Sequence, residues 1–146
     1  MQNRVIESFD KKTKVLIKLT TELIFVLLPI VVLTIALTIN SKFKEIGSSS
    51  EWSFAACVLF GQSIVKLGFG CVAAHKSVNG VLMTLIIAVL IVFGAIPSAV
   101  ILAAMLNTEN QGQTLFIIQG IWFFASVICY YWFGGIGEHK AAMEEG

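Results

Sequence analysis

The chain has 146 residues, of which 57% are hydrophobic and 13% charged, and its formal net charge is +1. Because a water-soluble domain has roughly 25% charged residues, this composition excludes a fold whose whole surface faces water, and we expect lipid to surround most of the chain. The three cysteines, Cys57, Cys71 and Cys129, lie in apolar segments without CxxC spacing, so neither a disulfide framework nor a metal site is expected.

The hydrophobic pattern predicts four membrane-spanning helices. A span needs about 20 mostly apolar residues, and four segments reach that length, at residues 15–39, 52–74, 81–106 and 115–136. The connections between them are too short to bury a core of their own. We therefore predict an all-α polytopic membrane protein, with a single membrane domain of four transmembrane helices in an antiparallel bundle.

The basic residues predict the orientation of these spans. Those before or at the start of the first span, after the second and after the fourth are Arg4, Lys11, Lys12, Lys14, Lys18, Lys76 and Lys140. The opposite side has only Lys42 and Lys44. Because short basic segments stay in the cytoplasm, both termini are expected there. Residues 1–14 would form an interfacial helix on the anionic inner leaflet or a docking surface for a cytoplasmic partner, and residues 137–146 a cytoplasmic tail.

Two charged residues fall inside the first two spans. A lysine at the bilayer centre costs roughly 3 kcal/mol on insertion scales, so Lys66 needs a partner or water nearby. At 1.5 Å per residue, Glu22 lies about 10 Å and Lys66 about 12 Å from the inner ends of their spans. Because these antiparallel spans are neighbours in sequence, the two charges meet at one level, and we predict an intramembrane ion pair between Glu22 and Lys66.

Two alternatives to this pair remain open. Glu22 lies four residues after Lys18 and is able to pair with it within one helix, which would leave Lys66 to extend its stem towards the inner interface. Otherwise Lys66 faces a water-filled or intersubunit site. Gln62, Ser63 and Lys66 form a polar stripe on the second span, which predicts either contacts between helices or the lining of a conduction path.

Small residues and prolines predict how the helices pack and bend. Close approach is expected at Gly61, Gly68, Gly70 and Ala74 in the second span and at Gly94 in the third, either within one subunit or between subunits. Pro29 and Pro97 each remove a backbone hydrogen bond in mid-span and predict kinks. Aromatic residues favour the headgroup level, so we expect interface anchors at Trp52, Trp122, Tyr130, Tyr131 and Trp132.

The sequence lacks the patterns of common catalytic and cofactor sites. His75 and His139 do not belong to a recognisable metal-binding motif, no nucleophile has a recognisable base, and no glycine-rich phosphate loop follows a strand. We therefore expect no enzymatic activity, no metal, no cofactor and no direct binding of nucleic acid.

The start of the second span carries a family resemblance. The segments Glu51-Trp52-Ser53-Phe54 and Phe60-Gly61-Gln62-Ser63-Ile64-Val65-Lys66-Leu67, with the size and the four spans, resemble small membrane subunits of bacterial antiphage defence systems, the Kiwa membrane subunit among them. The resemblance implies a homo-oligomer in the bacterial inner membrane that works with a soluble cytoplasmic effector, and it transfers no catalytic residue.

Two functions are therefore expected from the sequence. The first is a non-enzymatic sensor or scaffold subunit of an antiphage defence system. The alternative is a small ion channel or a pore-forming, holin-like membrane effector, in which Gln62 and Lys66 would line the path.

Overall fold

The computed structural model describes residues 2–41, 49–73, 80–107 and 113–144, and within them the chain is all-helical, with no strand. Helix α1 is Gln2–Ile39 and helix α2 is Glu51–Ala73. Helix α3 covers residues 80–107 and consists of Gly80–Leu90, a π-helical turn at Ile91–Ala95, and Ile96–Asn107. Helix α4 covers residues 113–144 and consists of Gln113–Cys129, a π-helical turn at Tyr130–Gly134, and Gly135–Glu144.

Each of the four helices contains a segment long and apolar enough to cross a membrane. These candidate spans are Lys12–Ile39, Glu51–Val72, Gly80–Asn107 and Thr114–His139. The prediction of an all-helical chain with four such segments is therefore confirmed. Large apolar side chains such as Phe25, Phe93 and Phe124 are about two-thirds exposed on the outward faces, which suits helices whose surroundings are lipid.

Helices α1 and α4 are longer than the spans that the sequence predicts. Residues 2–14 begin α1, which has no glycine or proline to interrupt it before Pro29. Residues 137–144 continue α4 as helix. Both helices therefore extend beyond their candidate spans, α1 before Lys12 and α4 after His139.

Helix α2 lies at the centre of the molecule. It packs along α4, while α1 and α3 pack on different faces of this central pair. One apolar cluster joins α1 to the pair through Leu19, Ile30, Ala55, Ala56, Leu59, Phe123 and Tyr130. A second cluster joins α3 to it through Phe60, Leu67, Met83 and Leu90, with Trp122 and Phe133 of α4 packed against them.

The two prolines have different surroundings. Helix α1 continues through Pro29 as one unbroken helix. Pro97 follows a π-helical turn in which the Ile96 N–H donates to the Ile91 carbonyl, five residues earlier. Such a turn is one of the recognised ways in which a helix adjusts its hydrogen bonds around an irregularity. A change of helical type therefore comes shortly before Pro97, and the kinks expected at the two prolines stay predictions.

Candidate functional site: a charge network between three helices

Lys66 of α2 reaches two carboxylates on two other helices. Its Nζ lies 2.7 Å from Glu22 Oε2 of α1 and donates to Glu138 Oε1 of α4 at 2.5 Å. The Lys66 side chain is only 11% exposed. A lysine with so little access to solvent is stable in the charged form only when acceptors surround it, and the two carboxylates provide them.

A second lysine completes the network. Lys18 of α1 donates from Nζ to Glu138 Oε2 at 2.7 Å and is more than half exposed. The order of contacts is therefore Lys18, Glu138, Lys66, Glu22, with signs that alternate. We call these four residues the charge network. Its two positive and two negative groups cancel, which reduces the cost of placing them between apolar helices.

Tyr130 adds a hydrogen bond from α4 to the Glu22 end of the network. Its ring is fully buried, and its hydroxyl donates to Glu22 Oε2 at 2.9 Å, with the Leu19 carbonyl 3.3 Å away. The neighbouring Tyr131 hydroxyl lies 3.2 Å from Thr20 Oγ1 of α1. Both tyrosines begin the π-helical turn of α4, so this irregular turn coincides with the contact between α4 and α1.

Glycines bring α4 close to α2 beside the network. A Cβ added to Gly137 would collide with the Lys66 carbonyl, and one added to Gly70 would lie 2.5 Å from the Gly137 carbonyl oxygen. A Cβ on Gly134 would lie 3.3 Å from Lys66 Cδ. The two backbones are in contact here, which places Glu138, the residue after Gly137, within reach of the lysine.

The structure brings Glu22 and Lys66 together, as the sequence predicts, and adds two residues that the sequence reasoning missed. Glu138 was assigned to a tail, and Tyr130 to the headgroup level. The spacing of Tyr130, Gly134 and Glu138 by four residues was the available signal, because residues four apart share a helix face. Lys18, the alternative partner of Glu22, pairs with Glu138.

The polar stripe on α2 is covered by the chain's own helices. Ser63 is fully buried and donates to the Leu59 carbonyl of its own helix at 2.8 Å. Gln62 is half-buried, and its Oε1 is buried without a hydrogen-bond partner. In the described chain, therefore, Ser63 and Lys66 do not face outwards as lining at a subunit interface would require.

The predicted packing glycines divide into two groups. Gly70 and Gly94 are at close contacts, since a Cβ on Gly94 would lie 2.5 Å from the Phe60 ring. Gly61 and Gly68 do not support close approach within the chain, because an added Cβ would meet no atom within 4 Å. They lie on faces of α2 that the other described helices leave open. Ala74 lies outside the described residues.

The aromatic residues predicted as interface anchors have different surroundings in the structure. Tyr130 is not an anchor, because its hydroxyl has its partner in the interior. Trp132 is 66% exposed, as an anchor would be, and Tyr131 is half-buried against Thr20. Trp52 is half-buried and packs edge-on to Phe123, with ring centroids 5.0 Å apart. The Trp122 indole N–H donates to the Gly94 carbonyl at 3.4 Å, so this ring joins α4 to α3.

The basic segment is described in part. Lys12 and Lys14 are exposed on α1. Arg4 and Lys11 lie on the same helix, but their side chains are outside the described part of the structure. In the described residues no group of three or more histidine, cysteine, aspartate or glutamate side chains is placed to hold a metal ion.

A smaller polar cluster lies at the opposite end of the α2–α4 pair. The Gln119 Nε2 donates to the Ser49 carbonyl at 2.5 Å, which joins α4 to the residues before α2. Gln119 and Ser53 are at most 2% exposed, and the Gln119 Oε1 and Ser53 Oγ have no hydrogen-bond partner.

Comparison with protein-family models, with curated proteins and with solved structures finds no match to this chain.

Proposed function

We propose that this chain is a non-enzymatic scaffold or sensor subunit of the bacterial inner membrane, homo-oligomeric, with both termini in the cytoplasm and a soluble protein as its partner. One observation carries the proposal: the charge network joins the two helices that extend beyond their candidate spans at the same end. Lys18 of α1 and Glu138 of α4 are 2.7 Å apart, close to the points where both helices leave the apolar region.

The extensions offer a partner a surface outside the bilayer. Helix α1 continues for ten residues before Lys12, and α4 continues to Glu144 after His139. Because Lys18 and Glu138 connect the two helices just inside these ends, a partner that binds the extensions acts directly on the charge network. Force or binding at this surface is thereby coupled to the position of α1.

The attachment of α1 suits a helix that changes position. Among its described side chains only Leu19 and Ile30 are buried, and most of its apolar side chains face outwards. The ion pairs therefore contribute much of what fixes α1 against α2 and α4. A switch needs a few-kcal/mol difference between two arrangements, and a network of exchangeable ion pairs supplies contacts of that size.

The antiphage part of the proposal rests on the resemblance at residues 51–54 and 60–67. The channel alternative has one observation in its favour, the buried and unpartnered Gln62 Oε1. Against it, Lys66 is neutralised by two carboxylates, and Ser63 is fully buried within its own subunit. We therefore favour the scaffold.

The partner test uses the full chain expressed with the soluble protein encoded beside it. We expect the two to co-purify and, together, to reduce phage plating. Deletion of residues 2–11, which lie outside the candidate span, should abolish both effects. The matched control is Lys42→Gln with Lys44→Gln, which removes charge on the opposite side of the predicted topology and should change neither effect. Loss of both effects in the control as well would contradict the proposed docking surface.

A conductance measurement distinguishes the scaffold from the channel alternative. The purified chain in planar bilayers should give no ion-selective current. A current that changes in selectivity with Gln62→Ala or Lys66→Met would contradict the scaffold and establish the alternative.

A further inference from the structure

A slot between α1 and α4 lies beside the charge network and opens to the outside. Its volume is about 380 Å³, within the range of small-ligand sites. The α1 wall includes Leu16 and Leu19, and the α4 wall includes Trp132. Trp132 and Leu16 are more than half exposed, so a molecule in the surrounding lipid reaches the slot without any opening of the helices.

The slot changes from polar to apolar along its length. Lys12 and His139 line one end. They are also the first residue of the α1 candidate span and the last residue of the α4 candidate span, so this end lies at the level of the lipid headgroups. Leu19 lies seven residues further along α1, roughly 10 Å deeper at 1.5 Å per residue. The slot thus has a basic mouth and an apolar interior.

Gly135 creates the space in the middle of the slot. It lies on the α4 wall, and an added Cβ would be 3.8 Å from Leu19 Cδ1, an ordinary contact distance. An alanine therefore fits at this position, whereas a longer apolar side chain would occupy the slot itself. This difference provides a graded test of whether the space is used.

We propose that the slot binds an anionic phospholipid, with one acyl chain between Leu16 and Trp132 and the phosphate at Lys12 and His139. An acyl chain is the occupant that combines an apolar body with a polar group at the membrane surface. The anionic preference follows from the charges. Lys12 is the cation of the mouth, His139 adds an imidazole, and the nearby Glu138 is already paired with Lys18 and Lys66.

A larger groove between α3 and α4 serves as an internal comparison. It has a volume of about 450 Å³ and is lined by apolar and aromatic residues such as Val89, Phe93 and Trp122, with no charged residue among its described lining. Acyl chains that occupy this groove should show no preference for one headgroup. Substitutions in this groove should therefore leave the selectivity for anionic lipid unchanged, whereas substitutions in the α1–α4 slot should remove it.

Native mass spectrometry of the full chain tests the proposal. The protein is equilibrated with equal amounts of phosphatidylglycerol and phosphatidylcholine that carry the same acyl chains, and the retained lipids are counted. We expect phosphatidylglycerol to exceed phosphatidylcholine roughly fivefold or more, the factor expected per basic residue at a lipid surface. Lys12→Gln with His139→Gln should bring the two lipids to equal amounts, and Gly135→Leu should remove the selectively bound lipid.

A matched variant serves as the control. Gly135→Ala fits the slot and should retain the wild-type ratio. Circular dichroism of Gly135→Leu confirms that the helices are intact. Equal retention of the two lipids by the wild type, or unchanged selectivity in Gly135→Leu, would overturn the proposal. If Gly135→Leu changes the mass of the oligomer but not the amounts of the two bound lipids, a second copy of the chain occupies the slot. That result would also overturn the proposal.

Discussion

The two flanking helices are attached to the central α2–α4 pair in different ways. Helix α3 is joined by apolar packing, with Met83 and Leu90 buried and Phe60 of α2 lying directly against Gly94. Helix α1 buries fewer side chains and is joined by the charge network and by Tyr130. Lipid competes with apolar packing between helices, because its chains are as apolar as leucine, but it offers no partner to a buried charge. The difference indicates that α3 is positioned by the fit of apolar side chains and α1 by the pairing of buried charges.

The largest effect is expected from Lys66, because its loss leaves Glu22 without a cation. Lys66→Met should lower the free energy of unfolding in mixed micelles by about 3 kcal/mol or more, as for other buried charges that lose their partner. Glu138 keeps Lys18 in this variant. The double variant Lys66→Met with Glu22→Gln should therefore recover much of the loss. If the single and double variants are equally unstable, the pair does not stabilise the protein.

A smaller loss is expected from Tyr130→Phe. The change removes the hydroxyl that donates to Glu22 and leaves the ring in place. A hydrogen bond to a charged group contributes about 1.5–3 kcal/mol, and the free energy of unfolding should fall by an amount in that range. Tyr131→Phe is the matched control, because its hydroxyl bonds only the neutral Thr20 and should cost about 1 kcal/mol. Equal losses in the two variants would mean that Glu22 does not depend on Tyr130.

The stability of the contact between α3 and α2 should depend on the volume of the side chains at that contact. Gly94→Ala places a Cβ against the Phe60 ring and should lower the free energy of unfolding by about 1–3 kcal/mol, the usual cost of overpacking. Gly68→Ala, where an added Cβ meets nothing within 4 Å, should leave it unchanged or raise it by up to about 1 kcal/mol through helix propensity. If Gly94→Ala and Gly68→Ala changed the free energy of unfolding in the same direction, the packing described for α3 would be contradicted.

The smallest effect is expected from Lys18→Gln. Lys18 is 56% exposed, and exposed ion pairs contribute about 1 kcal/mol or less and weaken with salt. The free energy of unfolding should fall by no more than this, and the difference from wild type should shrink as salt is added. A loss as large as that of Lys66→Met would place the main attachment of α1 at its exposed end.

The four apolar helices and one ion pair, Glu22 with Lys66, could be predicted from the sequence. Apolar length determines whether a segment is able to span a bilayer, and the constant rise of a helix places Glu22 and Lys66 at one depth. Both inferences are local to one or two helices. Neither inference requires knowing which helix faces are in contact.

Glu138 could not be placed in the same way. Its role depends on α4 continuing as helix past Gly134 and Gly137, and glycines near the end of a span equally indicate a helix that stops. They support the helix here because α2 packs against them, which is a tertiary contact. Tyr130 was missed for a related reason: its ring and hydroxyl suit the headgroup level as well as a buried hydrogen bond, and only the position of Glu22 distinguishes the two.

If ion pairs hold α1 against α2 and α4, the position of α1 should depend on Lys66. A spin-label distance between Ile24 on α1 and Ile128 on α4, both exposed, tests it directly in lipid nanodiscs after replacement of the three cysteines. We expect one narrow distance distribution in the otherwise wild-type chain, a broader and longer one in Lys66→Met, and the narrow one again when Glu22→Gln is added. The same narrow distribution in all three chains would show that apolar packing alone positions α1 and that the ion pairs do not hold it.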